Sequence, residues 1–376
     1  MNVVIDLTLP LERALTNSRV LVTGHTGFTG GWACVWLHNI GAEVHGLSLD
    51  PITEPNLFSE GRIAEVCKSS HIRDLRDAAA VKAVVDTIEP DLILHLAAQP
   101  LVRASYVDPA YTYEVNVNGT LHILQAAQHC ESVKGVLCIT TDKVYRNFEW
   151  CWPYRETDEL GGSDPYSASK SCAELLVSSW RYSMASWGRS FHLATARGGN
   201  IVGGGDWSDN RLIPDFVRSA VAGETLALRY PQAVRPWQHV LCLVHGYLEV
   251  LGAMMRDEEE KANVAWNFGP TSAECLPVGE VVSRLERYWP GVSVDYRPVR
   301  EKEAGFLYLD SSKARQLLSW APVWEIDKAL ERTAQWYHGF HVLSTDAREL
   351  LEADLLAYRS MLAAELTETM SAGAAV

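Results

Sequence analysis

The sequence predicts an α/β protein with a doubly wound parallel sheet and a second, smaller α/β domain. Short continuous apolar runs alternate with segments whose apolar residues recur at helical spacing, which indicates parallel strands covered by helices on both faces. A glycine-rich turn directly follows the first of these runs. In addition, 376 residues with 47% hydrophobic and 21% charged side chains are typical of a globular chain of two or three structural units.

The elements follow from hydrophobic periodicity, taken in chain order. Apolar runs of buried-strand length predict strands at 19–23, 42–49, 91–96, 135–139, 191–195 and 264–268. The last of these strands is expected to return to the sheet from late in the chain. Helical spacing of apolar residues predicts helices, the last of which has an alanine-rich tail that we expect to fray: 28–40, 78–88, 109–129, 168–187, 239–255, 278–289, 328–337 and 349–376.

Beyond Gly203 the composition changes to aromatic, proline- and glycine-rich segments, and this change predicts a division into domains. Residues 1–202 with about 239–270 form the sheet domain. Residues of about 203–238 with 271–345 form the smaller domain, placed over the carboxyl edge of the sheet. Residues 346–376 form a helical C-terminal extension.

Charge and cysteine usage exclude several classes of protein. The net charge of −14 disfavours nonspecific binding to nucleic acid or anionic membranes, because both need a basic face. Eight cysteines without CxxC spacing exclude the usual zinc-ribbon and thioredoxin signatures and fit reduced thiols. The first residues lack the pattern of a signal peptide, and no apolar stretch approaches 18 uncharged residues. We therefore expect a cytoplasmic protein without a metal site.

The turn Gly24-His-Thr-Gly27-Phe-Thr-Gly30 lies between the first predicted strand and helix. Glycines there permit a tight turn and close backbone approach, so that a dinucleotide pyrophosphate can bind at the helix N-terminus. The spacing is GxxGxxG rather than GxGxxG, and a plain strand–helix turn is the alternative. Asp50, at the end of the second strand, suits a ribose diol and would repel a 2′-phosphate, which favours NAD over NADP; a solvated loop acid is the alternative.

A second pattern, Tyr166-Ser-Ala-Ser-Lys170, places Tyr166 and Lys170 one helical turn apart. Thr141 follows the predicted strand 135–139 and adds a hydroxyl. A phenol with a pKa near 10 is a poor base at neutral pH, and an adjacent ammonium stabilises its phenolate. A lone YxxxK is often a surface pair, whereas its combination with the upstream hydroxyl and the glycine turn indicates a dehydrogenase site.

With these motifs the chain resembles the extended short-chain dehydrogenase/reductase family over residues of about 19–340, and within it the group of CDP-glucose 4,6-dehydratases. The resemblance implies an NAD-binding Rossmann fold. It rests on GHTGF (24–28), LAAQPLVRASY (96–106), TTDKVY (140–145), DPYSASK (164–170), GGGDW (203–207), RLIPD (211–215), RPWQHV (235–240) and YLDSSKA (308–314). One departure is Thr29, where relatives usually carry lysine.

The resemblance also implies roles for individual residues. Thr141, Tyr166 and Lys170 form the dehydrogenase triad, and Asp142 with Lys143 forms the dehydration pair, where most related dehydratases carry Asp-Glu. Cofactor contacts are expected from Gly24, Thr26, Gly27, Phe28, Gly30, Asp50, Asp74, Leu75, Leu96, Ala97, Ala98, Tyr166 and Lys170. Substrate contacts are expected from Gln99, Arg103, Asn200, Asp206, Trp207, Arg211, Arg235, His239 and Tyr308. For many of these, a salt bridge or core packing is the alternative.

The implied function is conversion of CDP-D-glucose to CDP-4-dehydro-6-deoxy-D-glucose with NAD as cofactor, in deoxysugar and surface-polysaccharide (lipopolysaccharide, O-antigen) biosynthesis. Alternatives are another nucleotide-sugar 4,6-dehydratase, a 4-epimerase, or a non-catalytic dinucleotide sensor; intact Tyr166, Lys170 and Thr141 argue against the sensor. The helices at 109–129 and 168–187 carry apolar stripes that in the family build a four-helix bundle, so a homodimer is expected.

Overall fold

A computed structural model describes residues 9–296 and 306–373, and within them seven strands form one parallel sheet. Their order is β10-β6-β5-β4-β1-β2-β3, so the direction of winding reverses between β1 and β4. Two smaller sheets have the orders β11-β9-β7 and β12-β8. The strands are β1 (Arg19–Thr23), β2 (Glu43–Ser48), β3 (Ser69–Ile72), β4 (Leu92–His95), β5 (Gly135–Ile139), β6 (His192–Gly198), β7 (Asn200–Val202), β8 (Leu226–Leu228), β9 (Val234–His239), β10 (Ala265–Phe268), β11 (Cys275–Pro277) and β12 (Val294–Tyr296).

Helices cover both faces of the large sheet. Val20 and Val22 of β1 pack into one core and Leu21 into the other, which explains why this strand is apolar throughout. The helices are α1 (Pro10–Leu15), α2 (Phe28–Asn39), α3 (Leu57–Glu60), α4 (Ile63–Val66), α5 (Ala78–Ile88), α6 (Val102–Val107), α7 (Pro109–Tyr113), α8 (Gly119–His129), α9 (Pro165–Ser183), α10 (Leu212–Ala222), α11 (Val240–Met255), α12 (Glu259–Ala262), α13 (Val278–Tyr288), α14 (Ser312–Leu317), α15 (Ile326–His341) and α16 (Ala347–Gly373).

The predicted α/β class with its parallel sheet is confirmed, and β1, β5 and α5 have the predicted bounds. The strand predicted at 264–268 does return to the sheet, as β10 beside β6. The strand predicted at 191–195 continues to Gly198. Of the predicted C-terminal tail, residues 374–376 lie outside the described part of the chain.

The prediction of a single regular helix over 109–129 is wrong, because the π-helical turn Glu114–Asn118 separates α7 from α8. Within that turn, the buried Asn116 binds the end of β4 and helix α9. Its Oδ1 accepts from the Gln99 amide at 2.8 Å, and its Nδ2 donates to the Gln99 carbonyl at 3.1 Å and to Ser169 Oγ at 2.9 Å. Single π turns are frequent at functional sites. Periodicity alone does not reveal this one.

The helix predicted at 168–187 begins three residues earlier, at Pro165, and its last turn, Met184–Trp187, is a 3₁₀ helix. Asp164 is the N-cap, and its Oδ1 accepts from the Ser167 amide at 3.0 Å. Proline at the first helical position lacks an amide hydrogen that would have no partner there. The earlier start places Tyr166 inside the first turn of α9.

The first and last helices meet on one face of the molecule. Glu12 of α1 is buried; its carboxylate accepts from Trp36 Nε1 at 3.0 Å and from Arg359 Nη2 of α16 at 2.8 Å. Leu355 and Tyr358 of α16 are likewise buried. Helix α16 is therefore packed against α1 through Arg359 and against α2 through Tyr358. In the part of the chain that the structure describes, none of the helices has the length and apolar character required to cross a membrane.

Candidate active site

A cleft of about 2150 Å³ lies at the carboxyl ends of β1, β4 and β5. In doubly wound sheets this edge, at the reversal of strand order, is where ligands bind. Predicted site residues that line the cleft are Gly24, Thr26, Gly27, Phe28, Gly30, Asp50, Asp74, Leu75, Leu96, Ala97, Ala98, Gln99, Arg103, Thr141, Lys143, Tyr166, Lys170, Asn200, Asp206, Trp207, Arg211 and Arg235. Asp142, His239 and Tyr308 are not among its lining residues.

The glycine turn is shaped by close backbone contacts. Gly24 has φ +76°, and a Cβ there would lie 2.9 Å from the Ala97 amide nitrogen. A Cβ on Gly30 would lie 2.1 Å from the Gly24 carbonyl oxygen. Gly27, in contrast, is exposed and is the N-cap of α2 without a side-chain cap. The first-turn amides of α2 are therefore accessible from the cleft, an arrangement that fits a pyrophosphate.

Polar groups beside the turn suit the remainder of a dinucleotide. Thr26 Oγ1 donates to the Leu49 carbonyl at 2.9 Å and thereby ties the turn to the end of β2. Asp50 follows and is exposed at the cleft wall. Asp74 is bound by Arg76, whose guanidinium lies 2.7 Å from Asp74 Oδ2 and lowers the pKa of that carboxyl. Both acids line the cleft, but Asp50 is exposed whereas Asp74 is partly buried and paired with Arg76.

The tripeptide 141–143 continues from β5 into a 3₁₀ turn, Asp142–Val144. Thr141 Oγ1 donates to Asp142 Oδ1 at 2.9 Å, and Lys143 Nζ lies 3.1 Å from the same oxygen. Asp142 is 1% exposed, and its Oδ2 has no hydrogen-bond partner among the described residues. The sequence predicts an acid in contact with substrate, whereas the structure holds Asp142 behind the cleft wall, paired with Lys143.

Tyr166 and Lys170 meet this tripeptide from α9. Burial raises the pKa of the Tyr166 phenol, and the Lys143 ammonium and a hydrogen bond with Thr141 act in the opposite direction. Lys170 Nζ donates to the Ile139 carbonyl at 3.0 Å, and burial lowers its pKa to about 8. The sequence assigns stabilisation of the phenolate to Lys170. In the structure, Lys143 is the cation that lowers the pKa of Tyr166 most.

Arginines with polar partners also line the cleft. Arg211 Nη1 lies 2.9 Å from Asp206 Oδ2, and its positive charge also lowers the pKa of Tyr166. Arg103 Nη1 donates to Asn210 Oδ1 at 3.0 Å, which joins α6 to the loop before α10. These guanidinium groups are available to phosphate oxygens, for which their planar fork is well suited.

Three residues predicted to contact substrate make contacts within the protein. Gln99 lines the cleft, but its amide is used internally: Nε2 donates to Thr112 Oγ1 at 2.9 Å and Oε1 accepts from the Leu101 amide at 2.6 Å. His239 is buried, and burial lowers its pKa to about 3. Its ring centroid lies 4.7 Å from that of Trp324, and its Nδ1 accepts from the Leu241 amide at the start of α11. Tyr308 donates to the Cys151 carbonyl at 2.5 Å. Neither periodicity nor motif distinguishes such residues from ligand contacts.

Several further polar and aromatic residues reach the cleft without having been predicted. Tyr247 lies on the apolar helix α11, where periodicity indicates only core packing, and Tyr230 follows the short strand β8. No motif marks these positions. Besides these two tyrosines, the arginines Arg73, Arg146 and Arg229 line the cleft.

Comparison with known proteins agrees with this geometry. The family model described as GDP-mannose 4,6 dehydratase matches residues 21–333. A CDP-glucose 4,6-dehydratase of Salmonella typhimurium is 42% identical over 326 residues, covering 85% of this chain and 90% of the relative. The human GDP-mannose 4,6 dehydratase is 28% identical, covering 80% of this chain and 86% of the relative.

Among solved structures, the dTDP-glucose 4,6-dehydratase DesIV of Streptomyces venezuelae, with NAD bound, has 26% identity and a TM-score of 0.71, covering 86% of this chain and 98% of the other. A UDP-glucose 4-epimerase of Thermotoga maritima has a TM-score of 0.74 at 21% identity, covering 86% and 99%, which shows a shared fold. With its parallel Rossmann-type sheet and the match over residues 21–333, the chain belongs to the GDP-mannose 4,6 dehydratase family, within the extended short-chain dehydrogenases/reductases.

Proposed function

We propose that this protein is a nucleotide-sugar 4,6-dehydratase that converts CDP-D-glucose to CDP-4-dehydro-6-deoxy-D-glucose and water, with NAD as cofactor. The observation that carries the choice of nucleotide is the 42% identity to the CDP-glucose enzyme, against 26% to the dTDP-glucose 4,6-dehydratase of the same organism. The Asp142-Lys143 pair, where most related dehydratases carry Asp-Glu, agrees with that choice.

The residues around the glycine turn fit NAD. The amides at the start of α2 are accessible beside Gly27, where a side chain is absent, and Asp50 presents a carboxylate at the distance along the chain that suits a ribose diol. When bound, NAD supplies reversible acceptance and return of a hydride, so that the dehydration has no net redox change.

The chain's own residues then handle protons. Tyr166 accepts the proton of the sugar 4-hydroxyl, with Thr141 as its hydrogen-bond partner and Lys143 as the cation that favours its phenolate. A 4-ketone on the sugar acidifies C5–H, so the hydroxyl at C6 can leave as water. We propose that Asp142 protonates that hydroxyl. Lys143 either assists the removal of the C5 proton or polarises the site. Because Asp142 is buried, its role requires a proton to pass along Thr141 or Lys143, or a side-chain rotation on substrate binding.

The remaining site and assembly assignments rest on position. We infer that Arg103, Arg211 and Arg235 bind the nucleotide diphosphate, since all three line the cleft. We infer a homodimer through α7–α8 and α9, on which Leu175 is 59% and Tyr182 is 92% exposed. Light scattering that gives a monomer at micromolar concentration would contradict it.

The organisation and setting of the protein belong to the same proposal. The sheet domain comprises 1–202 with about 239–270, the nucleotide-sugar domain about 203–238 with 271–345, and the helical extension 346–376. Residues 1–8, 297–305 and 374–376 of these ranges lie outside the described part. We place the enzyme in the cytoplasm, in the synthesis of deoxysugars for surface polysaccharide such as lipopolysaccharide O-antigen.

Incubation with CDP-, dTDP-, GDP- and UDP-sugars tests the function, with mass spectrometry as the readout. The loss of one water from CDP-glucose, faster than from the other three, is the expected result. Dehydration of another nucleotide sugar in preference would overturn the choice of nucleotide. A product of unchanged mass with inverted C4 would indicate a 4-epimerase. This alternative is included because a UDP-glucose 4-epimerase of Rhizobium leguminosarum is 26% identical to this chain.

A further inference from the structure

A buried ion pair lies directly behind the catalytic end of β5. Glu174 of α9 and Arg197 of β6 are 4% and 3% exposed at their side chains. Arg197 Nε donates to Glu174 Oε1 and Arg197 Nη2 to Oε2, both at 2.8 Å, in the parallel two-bond arrangement that suits a guanidinium and a carboxylate. Neither residue lines the cleft.

The carboxylate is also bound by two threonine hydroxyls from neighbouring strands. Thr140, at the end of β5, donates to Glu174 Oε1 at 2.5 Å, and Thr195 of β6 donates to Oε2 at 2.8 Å. Burial raises the pKa of Glu174, but Arg197 and these hydrogen bonds outweigh it and bring the pKa below its usual value. Glu174 is therefore an anion at neutral pH despite its burial.

The pair anchors both ends of the catalytic tripeptide. Thr140, which precedes it, is held by Glu174, and Tyr145, which follows it, accepts from Arg197 Nη1 at 2.6 Å. Tyr145 in turn donates to Asn267 of β10 at 2.8 Å. Residues 141–144 thus lie between two points of one buried network. A displacement of Glu174 would be transmitted to the tripeptide.

Glu174 also lies one helical turn from Lys170, on the same helix face. The titratable groups that act on Lys170 are Cys138 on β5 and Glu174 on its own helix, and His95 on β4 is affected by Lys170. Burial raises the pKa of Cys138 to about 12 and lowers that of His95 to about 3, so both are neutral near pH 7. Of the three, Glu174 alone carries a charge there that favours the Lys170 ammonium.

We propose that Glu174 is a positioning residue of the reaction, which fixes the Thr141–Lys143 segment through Thr140 and supplies the negative charge that keeps Lys170 an ammonium. The inference deepens the proposed function and rests on it, since it takes Lys170, the third member of the dehydrogenase triad that the resemblance implies, to act as an ammonium beside Tyr166. Arg197 keeps the carboxylate ionised, and Arg181 is a further cation that faces it.

The substitution Glu174→Gln removes the negative charge of the side chain and keeps its shape nearly unchanged. Burial lowers the pKa of Lys170 to about 8, and loss of the opposing anion lowers it further. Because the ammonium is the active form, the alkaline limb of kcat/KM against pH is expected to move to lower pH by about one unit or more. In parallel, NMR titration of ¹³C-labelled lysine, with Lys170→Arg to assign the signal, is expected to show the same downward shift of the Lys170 pKa.

Matched variants separate charge from packing. Glu174→Asp keeps the charge and shortens the side chain, so kcat should fall while the alkaline limb stays in place. Thr195→Val removes one hydrogen bond to Glu174 and no charge, so neither the limb nor the Lys170 titration should move. If Glu174→Gln unfolds because Arg197 is left unpaired, Glu174→Gln/Arg197→Met removes both charges and should still show the shift.

An unchanged Lys170 titration in a folded Glu174→Gln or double variant would overturn the inference, and so would failure of both to fold, since Glu174 would then have only a structural role. The NMR titration needs no substrate. It therefore remains decisive if the wild-type protein dehydrates none of the four nucleotide sugars, an outcome that would overturn the proposed function instead.

Discussion

The two ends of the cleft are built from different interactions. At the cofactor end, Gly24 and Gly30 determine the site through backbone shape, with contacts so close that a single added methyl group does not fit. At the proposed catalytic end, Tyr166, Asp142 and Lys143 are held by hydrogen bonds and charges. We therefore expect an added methyl group to disrupt the cofactor end. At the other end, we expect a substitution that keeps the shape of the side chain to leave the fold intact and to change the reaction. The predictions below test this contrast, from the largest expected effect to the smallest.

Gly30→Ala is expected to have the largest effect. Its Cβ would lie 2.1 Å from the Gly24 carbonyl oxygen, which cannot move without displacing the turn. We expect a destabilisation of about 3 kcal/mol or more, in the upper range for overpacked sites, and loss of NAD binding. Thermal unfolding and calorimetric titration with NAD measure the two effects.

Gly27→Ala is the matched control in the same turn. A Cβ there meets the Gly24 oxygen at 3.3 Å, which a small shift relieves, so the melting temperature should stay near that of the wild type. NAD should nevertheless bind more weakly, because the methyl group faces the exposed N-terminus of α2. Equal destabilisation by the two variants would contradict the shape argument.

Tyr166→Phe should abolish turnover and leave the fold intact. The phenol is buried and is the proposed base for the 4-hydroxyl, so no step can begin without it. We expect a loss of at least about 10⁴-fold, the upper end for a general base, and no reduced nicotinamide with substrate present. Product formation by mass spectrometry and near-ultraviolet absorbance test this. Retention of more than a hundredth of the activity would assign the base elsewhere.

Asp142→Asn separates the two half-reactions. The amide keeps the size of the carboxylate but cannot deliver a proton, so turnover should fall by about 10²–10⁴-fold. Oxidation at C4 should survive, and reduced nicotinamide should accumulate on the enzyme. Full dehydratase activity in this variant would contradict the role of Asp142. Lys143→Arg is the companion test: it should stay partly active if the role of Lys143 is electrostatic alone.

Asp50→Ala should have the smallest effect. The carboxylate is exposed, so its loss should not alter stability, but its contact with a ribose diol and its repulsion of a 2′-phosphate both disappear. We expect NAD to bind more tightly than NADP in the wild type and the gap to narrow in the variant, as measured by titration with both cofactors. Preference for NADP in the unmodified protein would show that Asp50 does not face the ribose.

Sequence predicts those parts of the fold that depend on short-range patterns. β1 and β5 are continuous apolar runs buried on both faces, and their bounds follow from the runs themselves. The start of α9 was signalled by Asp164 and Pro165, an N-cap followed by proline, and the helical prediction began too late because it followed apolar spacing. The π turn at Glu114–Asn118 depends on contacts with Gln99 and Ser169, which are distant in sequence.

The candidate site shows the same limit. The spacing of Tyr166 and Lys170 is local and is visible in the sequence, whereas the pairing of Glu174 with Arg197 joins residues 23 apart on different elements. The internal contacts of His239 and Tyr308 could not be predicted, because a polar residue in a motif reveals neither its burial nor its partner. The position of Asp142 behind the wall likewise depends on the turn that follows β5.

The contact between Glu12 and Arg359 has a consequence for biosynthesis. During translation α1 leaves the ribosome before α16, so Glu12 can bind Trp36 early but cannot bind Arg359 until α16 has been made. Domains generally fold from the N-terminal side as the chain emerges. The sheet can thus assemble on the ribosome, while docking of α16 becomes a later step that waits for its own synthesis.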